Sequence, residues 1–515
     1  MPSTNVTANN QHSDKRKYKP CEKCAKRKQK CRHSQDAVQK SSGRPVRIAT
    51  KATTLQELAQ DTDIDFVLND QSDTVSAGLD EQSEEGLLAS GYPPLTMHKP
   101  QSPEALAALL FVEAMTCEGV ADTWFNHVPA RIGSDSCFDL SATALEMACW
   151  YKRGFPGATM QKSCRTMATA LEALRLAIST EEGRLSDHTL ACVAALSPAD
   201  AIREGHSILL PCHLDGMTTL LLSRKHHAAM SEIARRIMEY HTCDTYVTAC
   251  VRGVQSPLED LEQLYLASHG AATQESATTK LRATGDRLCI RLPRFIKIVR
   301  AACEPSTSPA MVCSAMTIAE ELSEMTDEIA ETDFLHLVRV VKTTHPEDTL
   351  VTRWSFEFNS VASYEAGAYY WHTRIAVLRL CWRLRICFPT VCDAYSLPSV
   401  SRSETELRRI GCNLFMSAEY TRRLRARKRK RLFAHTMLTC WGALKDCPKI
   451  LPTTMGDSSV VRAWLLSNTN RALTGQTTLT EHDMDDAVDL FTGGPFKGTY
   501  VNLIMSGGNP TNVHS

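Results

Sequence analysis

Apolar residues recur at intervals of three, four and seven positions through most of the chain beyond residue 102, and this spacing constrains the fold more than any other feature. Because an α-helix completes a turn in about 3.6 residues, side chains at these intervals share one helical face. One such set comprises Met160, Cys164, Met167, Leu171, Leu174 and Ile178. A second set comprises Trp371, Ile375, Leu378 and Trp382. We therefore expect a large all-α domain over residues 103–510.

Signals for other architectures are scarce. Few segments alternate apolar and polar residues as strands do, and no period of fixed length repeats. Pro103 and Glu104 open one helical run, as helix-initiation chemistry favours. The longest uncharged apolar run, Ala105 to Val112, is far shorter than the roughly 20 residues of a membrane span. At 515 residues with 43% hydrophobic content, the chain is expected to be soluble and intracellular, with two or three folded units and linkers.

Twenty cysteines are present, and most stand singly within apolar helical patterns. A reduced thiol in such a position behaves as a small hydrophobic side chain. We therefore expect Cys149, Cys164, Cys192 and Cys381 to be core residues.

Charge is distributed unevenly although the net charge is zero. Residues 1–51 hold fourteen Lys or Arg against three acidic residues, a balance of +11. Residues 52–104 hold eleven acidic residues against Lys99 alone, a balance of −10. The basic segment favours a polyanionic partner, because Lys and Arg that neutralise phosphates release condensed counterions. The alternative is a pair of solvated, disordered tails.

A disordered basic tail is expected over residues 1–20 and an acidic linker over residues 51–102. The linker is rich in Asp, Glu, Ser and Gln and has little apolar material to bury. Within it, the stretch LQELAQDTDIDFVLND mixes acidic with apolar residues. Such a mixture is typical both of activation segments that fold on a coactivator and of ordinary linkers.

Three cysteines between these segments have the spacing of zinc ligands. Cys21, Cys24 and Cys31 follow the pattern C-x2-C-x6-C, in which two thiolates grip one zinc ion from a tight turn and a third reaches it after a short helix. The basic residues of that helix are Lys26, Arg27, Lys28 and Lys30. A metal-held basic helix suits the major groove of double-stranded DNA, where Arg and Lys read guanine O6 and N7. The sequence thus predicts a DNA-binding element over residues 21–50.

This element resembles the first half of the binuclear zinc cluster of the fungal Zn2Cys6 transcription factors. The family's ending R-K-x-K-C is matched by Arg27, Lys28, Lys30 and Cys31. The resemblance implies a zinc cofactor, contacts from Arg27 and Lys28 to base edges, typically of a CGG triplet, and a backbone contact from Lys30. Ala25 departs from the arginine that often follows the second cysteine.

The larger departure lies downstream. The family needs three more cysteines, one of which bridges both metals, and none occurs between Cys31 and Cys117. Two zinc ions cannot be held in the family's way by this sequence. Three interpretations stay open: a degenerate site, a mononuclear site completed by His33 or another donor, and a gene model that lacks the second half of the cluster.

The resemblance extends to the helical region. The stretch DHTLACVAALSPADAIREGHSILLPCHLDGMTTLLLSRK is similar to the regulatory domain that follows such clusters, where a His-x-x-Gly helix has a Leu-rich tail, here with His213 and Gly216. The later stretch YEAGAYYWHTRIAVLRLCWRL is similar to that domain as well. On physical grounds we expect His213 to be an interior or helix-end histidine with its polar atoms satisfied, and not a metal ligand.

Two basic clusters predict nuclear localisation. Lys15, Arg16 and Lys17 precede the cluster from Lys26 to Lys28 by eight residues, which is a bipartite import spacing. A second block, RRLRARKRKR at 422–431, is another import signal, a second nucleic-acid-binding patch or a solvated helix face. No heptad run follows the cysteines, so a homodimer has no support from the sequence.

The sequence favours a transcription regulator that acts by DNA binding and through the transcription machinery or coactivators. No nucleotide-binding loop, nucleophile elbow or metalloprotease motif is present, so we do not expect an enzyme. The alternative is a helical protein-interaction coregulator that has lost its own zinc-dependent DNA binding.

Overall fold

The computed structural model describes eight ranges of the chain, all of them within the compact unit Ile64–Ser515. The described ranges are 102–118, 124–204, 211–226, 230–269, 276–424, 436–445, 457–473 and 478–494. These residues are predominantly helical, with one small sheet, and they confirm the predicted all-α domain.

Eight α-helices make up the first half of the described region. Their bounds are α1 Pro103–Glu118, α2 Ser136–Lys152, α3 Met160–Ala177, α4 Glu181–Leu185, α5 Asp187–Glu204, α6 Pro211–Leu222, α7 Glu232–Arg252 and α8 Glu262–His269. Short 3-10 helices occur at Trp124–His127, Pro129–Arg131 and Pro257–Leu261.

The second half adds further helices and an antiparallel pair of strands. The bounds are α9 Ala277–Ala302, α10 Pro309–Glu324, α11 Glu328–Leu337, β1 Arg339–Lys342, α12 Pro346–Thr349, β2 Trp354–Glu357, α13 Val361–Cys387, α14 Pro389–Cys392, α15 Val400–Met416, α16 Ala418–Arg423, α17 436–445, α18 Ser458–Leu473 and α19 Glu481–Phe491. Val340 of β1 lies opposite Phe356 of β2.

Polar caps begin many of these helices. The Asp135 carboxylate accepts a hydrogen bond from the backbone N–H of Phe138 at 2.8 Å and caps α2. Ser231 caps α7 in the same way, and this helix ends at Gly253, whose φ of 64° is left-handed. Such caps satisfy backbone groups that the first and last turns leave unpaired.

Two hydrophobic cores occupy the described region. The first lies among α1 to α8 and contains Trp124 and Phe138, and the second lies among α9 to α19 and contains Phe295 and Trp371. Helix α7 contributes to both, because Met238 near its middle packs in the first core while later residues pack in the second. The two cores therefore share a helix.

Helices α9 and α13 pack closely at the centre of the second core. Gly285 of α9 permits the approach, since a Cβ there would lie 3.0 Å from the backbone nitrogen of Tyr370. Beside it, Arg282 donates from Nε to Asp286 at 2.8 Å, and the Tyr265 hydroxyl donates to the same carboxylate at 3.0 Å. A buried charge is tolerated when it is paired and hydrogen-bonded in this manner.

Helix α13 carries the predicted buried face. Trp371, Ile375 and Leu378 are fully buried, while Trp382 is half-buried. The helix is buried around most of its circumference between Tyr364 and Cys381, so the predicted face is only part of its contact surface.

The buried face predicted for α3 is wrong in part. Met167 and Leu174 are buried, but Met160, Cys164, Leu171 and Ile178 are exposed. The observed buried stripe consists largely of small or polar residues, namely Ser163, Thr166, Met167, Ala170 and Leu174. Because α3 packs against the closely spaced pair α2 and α5, small side chains occupy its contact line.

Because the buried stripe of α3 is not the predicted one, one of the cysteine predictions is wrong. Cys149, Cys192 and Cys381 are buried as expected, whereas Cys164 is exposed on the outer side of α3. Within the described ranges, no helix combines the length and the apolar character that crossing a membrane requires.

Candidate functional site

The site residues predicted from the sequence lie outside the described residues. They are the cysteines Cys21, Cys24 and Cys31, the DNA-contacting residues Lys26, Arg27, Lys28 and Lys30, and the import residues Lys15, Arg16 and Lys17. The acidic linker also lies outside, apart from its last residue. These assignments stay predictions.

The first two arginines of the basic block at 422–431 are described, and both form ion pairs within the fold. Arg422 donates to Asp348 at 2.7 Å, and Arg423 donates to Glu419 at 3.0 Å. Since their charges are matched by nearby carboxylates, these two residues contribute to packing around the sheet. The residues from 425 to 431 lie outside the described part.

His213 occupies the first turn of α6 and faces the end of α5. Its Nε2 atom lies 3.3 Å from Asp200 Oδ2, and Arg203 also pairs with Asp200. The side chains of His213 and Asp200 are largely buried. The contact is that of a helix-end histidine with a carboxylate partner, as expected.

One group of potential metal ligands occurs within the described residues. The ligand atoms of Asp135, Cys137 and Cys192 all lie within 4.8 Å of one another, and the two sulfurs are 3.4 Å apart. The hydrogen bond between the thiols lowers the pKa of Cys137 and raises that of Cys192. A structural zinc site uses four such donors; this group offers three, and the Asp135 carboxylate is already used as the cap of α2. The residues do not fit a structural zinc ion.

A cleft of about 480 Å³ lies where α5 and α7 begin. Residues from several separate segments line it: Arg131, Leu185, Ser186, Asp187, His188, Arg224, Met230 and Ser231. These described residues include two arginines and one aspartate. We refer to it below as the Arg224 cleft.

Arg224 follows α6 and is only 6% exposed. Its Nη2 donates to the Ser186 carbonyl at 2.5 Å, and its Nη1 lies 3.6 Å from Asp187 Oδ1. Its Nε and Nη1 atoms are buried and have no hydrogen-bond partner among the described residues. Burial lowers the pKa of the guanidinium, and the charge of Asp187 opposes that effect.

Arg131 and His188 also line the cleft, and each of them contacts residues outside it. Arg131 donates from Nη1 to the His127 carbonyl at 3.0 Å, which holds it at the end of a 3-10 helix. The His188 Nε2 atom lies 3.4 Å from Ser134 Oγ, and its ring lies 5.8 Å from that of Phe138. Arginine donors converging on a concave site suit the binding of an anion.

Sequence reasoning missed this cleft. Its two arginines are more than ninety positions apart and belong to no motif, so their place in one lining follows only from the packing of the 3-10 helix Pro129–Arg131 near the segment after α6. The only trace in the sequence is that Arg224 ends the Leu-rich stretch LLLSR noted above.

Comparison of the chain with protein-family models, with curated proteins and with solved structures finds no match.

Proposed function

We propose that this protein is a sequence-specific DNA-binding transcription regulator of the zinc-cluster type that acts in the nucleus. The observation that carries the proposal is the spacing of Cys21, Cys24 and Cys31 with four basic residues between the second and third cysteine. The balance of +11 over residues 1–51 supports it, because such a segment binds phosphates. The large helical domain is consistent with a regulatory domain that follows the DNA-binding element.

The proposed mechanism assigns different tasks to the metal and to the helix. Zinc bound by Cys21, Cys24 and Cys31, with His33 or another donor as its fourth ligand, would fix the pose of the short basic helix. Arg27 and Lys28 would then contact base edges in the major groove, and Lys30 would neutralise a backbone phosphate. Partners in the transcription machinery would be recruited by the acidic segment or by the helical domain.

Zinc content tests the metal part of the proposal. The purified full-length chain should hold about one zinc ion, and Cys24→Ala should lose it, because two thiolates do not complete a stable site. Cys164→Ala is the matched control, since that cysteine is exposed on α3. Equal zinc content in the wild type and the Cys24 variant would contradict the assignment.

A second candidate function is a helical coregulator that reaches genes only through partners. The absence of cysteine between Cys31 and Cys117 favours it, because the family's second half-cluster is missing. Under this alternative the chain holds no zinc and has no preference between DNA sequences. Sequencing the mature transcript across codons 30 to 50 shows whether the missing cysteines exist.

A further inference from the structure

We propose that the Arg224 cleft is a binding site for a small organic anion that presents a carboxylate or a phosphate group. The inference is independent of DNA binding, since it depends only on described residues of the helical domain. It follows from the unused donors of Arg224, the charge of the lining and the position of two helix N-termini.

Arg224 differs from the other buried arginines in how many of its guanidinium nitrogen atoms are buried without a hydrogen bond. Arg282 and Arg422 each bond to at least one carboxylate at 2.7 to 2.8 Å. Several other arginines have only Nε buried without a hydrogen bond, whereas Arg224 has both Nε and Nη1 in that state among the described residues. Buried donors that stay unpaired are costly, so an anion in the cleft toward which the guanidinium shifts to donate would relieve the cost.

The backbone adds to this positive environment. Ser186, Asp187 and His188 line the cleft at the start of α5, and Ser231, which also lines it, caps α7. These helices are 18 and 21 residues long, and the first turn of a helix favours negative charge. The first residues of two helices thus line the same cleft as Arg224.

Asp187 is the one acidic side chain among the described residues that line the cleft. At 3.6 Å from Arg224 Nη1, with a side chain 38% exposed, it opposes only part of the positive charge. Because its side chain is partly exposed and lies farther from Arg224 than a hydrogen bond, Asp187 would turn toward solvent when another anion takes its place. Asp187 therefore competes with the ligand.

The dimensions of the cleft suit a small molecule. About 480 Å³ accommodates a metabolite, whereas a DNA duplex is too wide to enter such a cavity. The ligand class is therefore an organic acid or a phosphate ester. Arg131 on one side and Arg224 on the other would bind its charged group.

Calorimetric titration of the full-length chain with two probes tests the proposal. Inorganic phosphate and succinate are titrated separately at constant ionic strength, with chloride as the reference anion. We expect saturable binding of at least one probe, and the probe that binds identifies which of the two groups the cleft prefers. Binding of neither probe above the chloride reference would overturn the proposal.

Variants show whether bound probe is in the cleft or on the basic N-terminal segment. Arg131→Ala should weaken binding about tenfold, the equivalent of one charge-assisted hydrogen bond. Asp187→Asn should tighten binding several-fold by removing the competing charge, a gain that damage to the fold does not produce. Arg175→Ala is the control, because Arg175 is exposed on α3 and pairs with Glu172. Equal affinity in all four proteins would place the anion elsewhere and overturn the proposal.

Discussion

Glu146 is a carboxylate whose surroundings oppose its ionisation. It is half-buried on α2, accepts a hydrogen bond from Trp150 Nε1 at 3.1 Å, and has no ion-pair partner among the described residues. Burial raises its pKa to about 7, with a smaller contribution from the charge of Glu113. The folded protein therefore holds a proton that the unfolded chain releases near pH 4.5.

This residue predicts a loss of stability with rising pH. Between about pH 4.5 and 7 the unfolded chain ionises before the folded one, so the free energy of unfolding falls as the pH rises and stays lowered above 7. Glu146→Gln should remove the loss and stabilise the protein at pH 8 by on the order of 2 kcal/mol. Below pH 4.5 the gain should vanish.

Urea denaturation of the wild type and the Glu146 variant at pH 4, 6 and 8 measures this effect. Glu304→Gln is the control, since Glu304 is an exposed residue of the turn after α9. A gain that is the same at all three pH values would show that ionisation of Glu146 is not its cause.

At the scale of elements, Asp348 joins three helices. It lies in the short helix α12, is 1% exposed, and accepts hydrogen bonds from Arg422 of α16 at 2.7 Å and from Trp464 Nε1 of α18 at 2.9 Å. The neighbouring Glu347 pairs with Arg471 at 2.8 Å, but both of these side chains are about half-exposed. Asp348 thus connects buried parts of three helices, whereas Glu347 forms an ion pair at the surface.

We expect Asp348→Ala to destabilise the protein by about 3 to 5 kcal/mol, because it leaves Arg422 and the Trp464 N–H without their buried partner. Glu347→Ala should cost less than about 1 kcal/mol, as exposed ion pairs do. Thermal and urea denaturation of the two variants provide the comparison. Similar losses for both would mean that the ion pair of Asp348 does not hold these helices together.

The accuracy of sequence-based prediction differed between helices for a physical reason. In α13 large apolar residues such as Trp371 fill the second core. Their spacing in the sequence therefore predicted correctly which residues are buried. In α3 the contact line against α2 and α5 is made of small residues such as Ser163 and Ala170, while Leu171 is exposed. Hydrophobicity alone does not distinguish a close-packed face of small side chains from a solvent face.

The candidate site could not be predicted from the sequence for a different reason. The Arg224 cleft depends on residues that are distant in sequence, so no spacing or motif predicts it. The cysteine element is the reverse case, because its spacing is visible in the sequence and its residues lie outside the described part of the structure.

At the scale of the whole molecule, the two hydrophobic cores share α7, so the described helices should unfold together. A fragment that begins at Ser102 and continues to the last residue should be soluble, strongly helical and cooperative in melting without added zinc. Circular dichroism with thermal denaturation measures this. A dominant β signal, or two well-separated transitions, would contradict the account of one helical domain with joined cores.

The central proposal is zinc-dependent reading of DNA, and titration of the full-length protein onto two duplexes tests it most directly. One duplex carries a CGG site, the other has that site scrambled, and both are measured at two salt concentrations. Arg27→Ala should reduce the preference for the CGG duplex, since a bidentate base contact discriminates by about 1 to 3 kcal/mol. Lys30→Ala should weaken binding to both duplexes alike and lower the salt dependence by about one phosphate contact.

Removal of the metal completes the same measurement. The account predicts that the wild type prefers the CGG duplex and that Cys24→Ala or a chelator abolishes this preference, leaving weak, salt-sensitive binding from the remaining basic residues. Equal affinity of the wild type for both duplexes, unchanged by Cys24→Ala and by the chelator, would contradict the proposal and favour the coregulator.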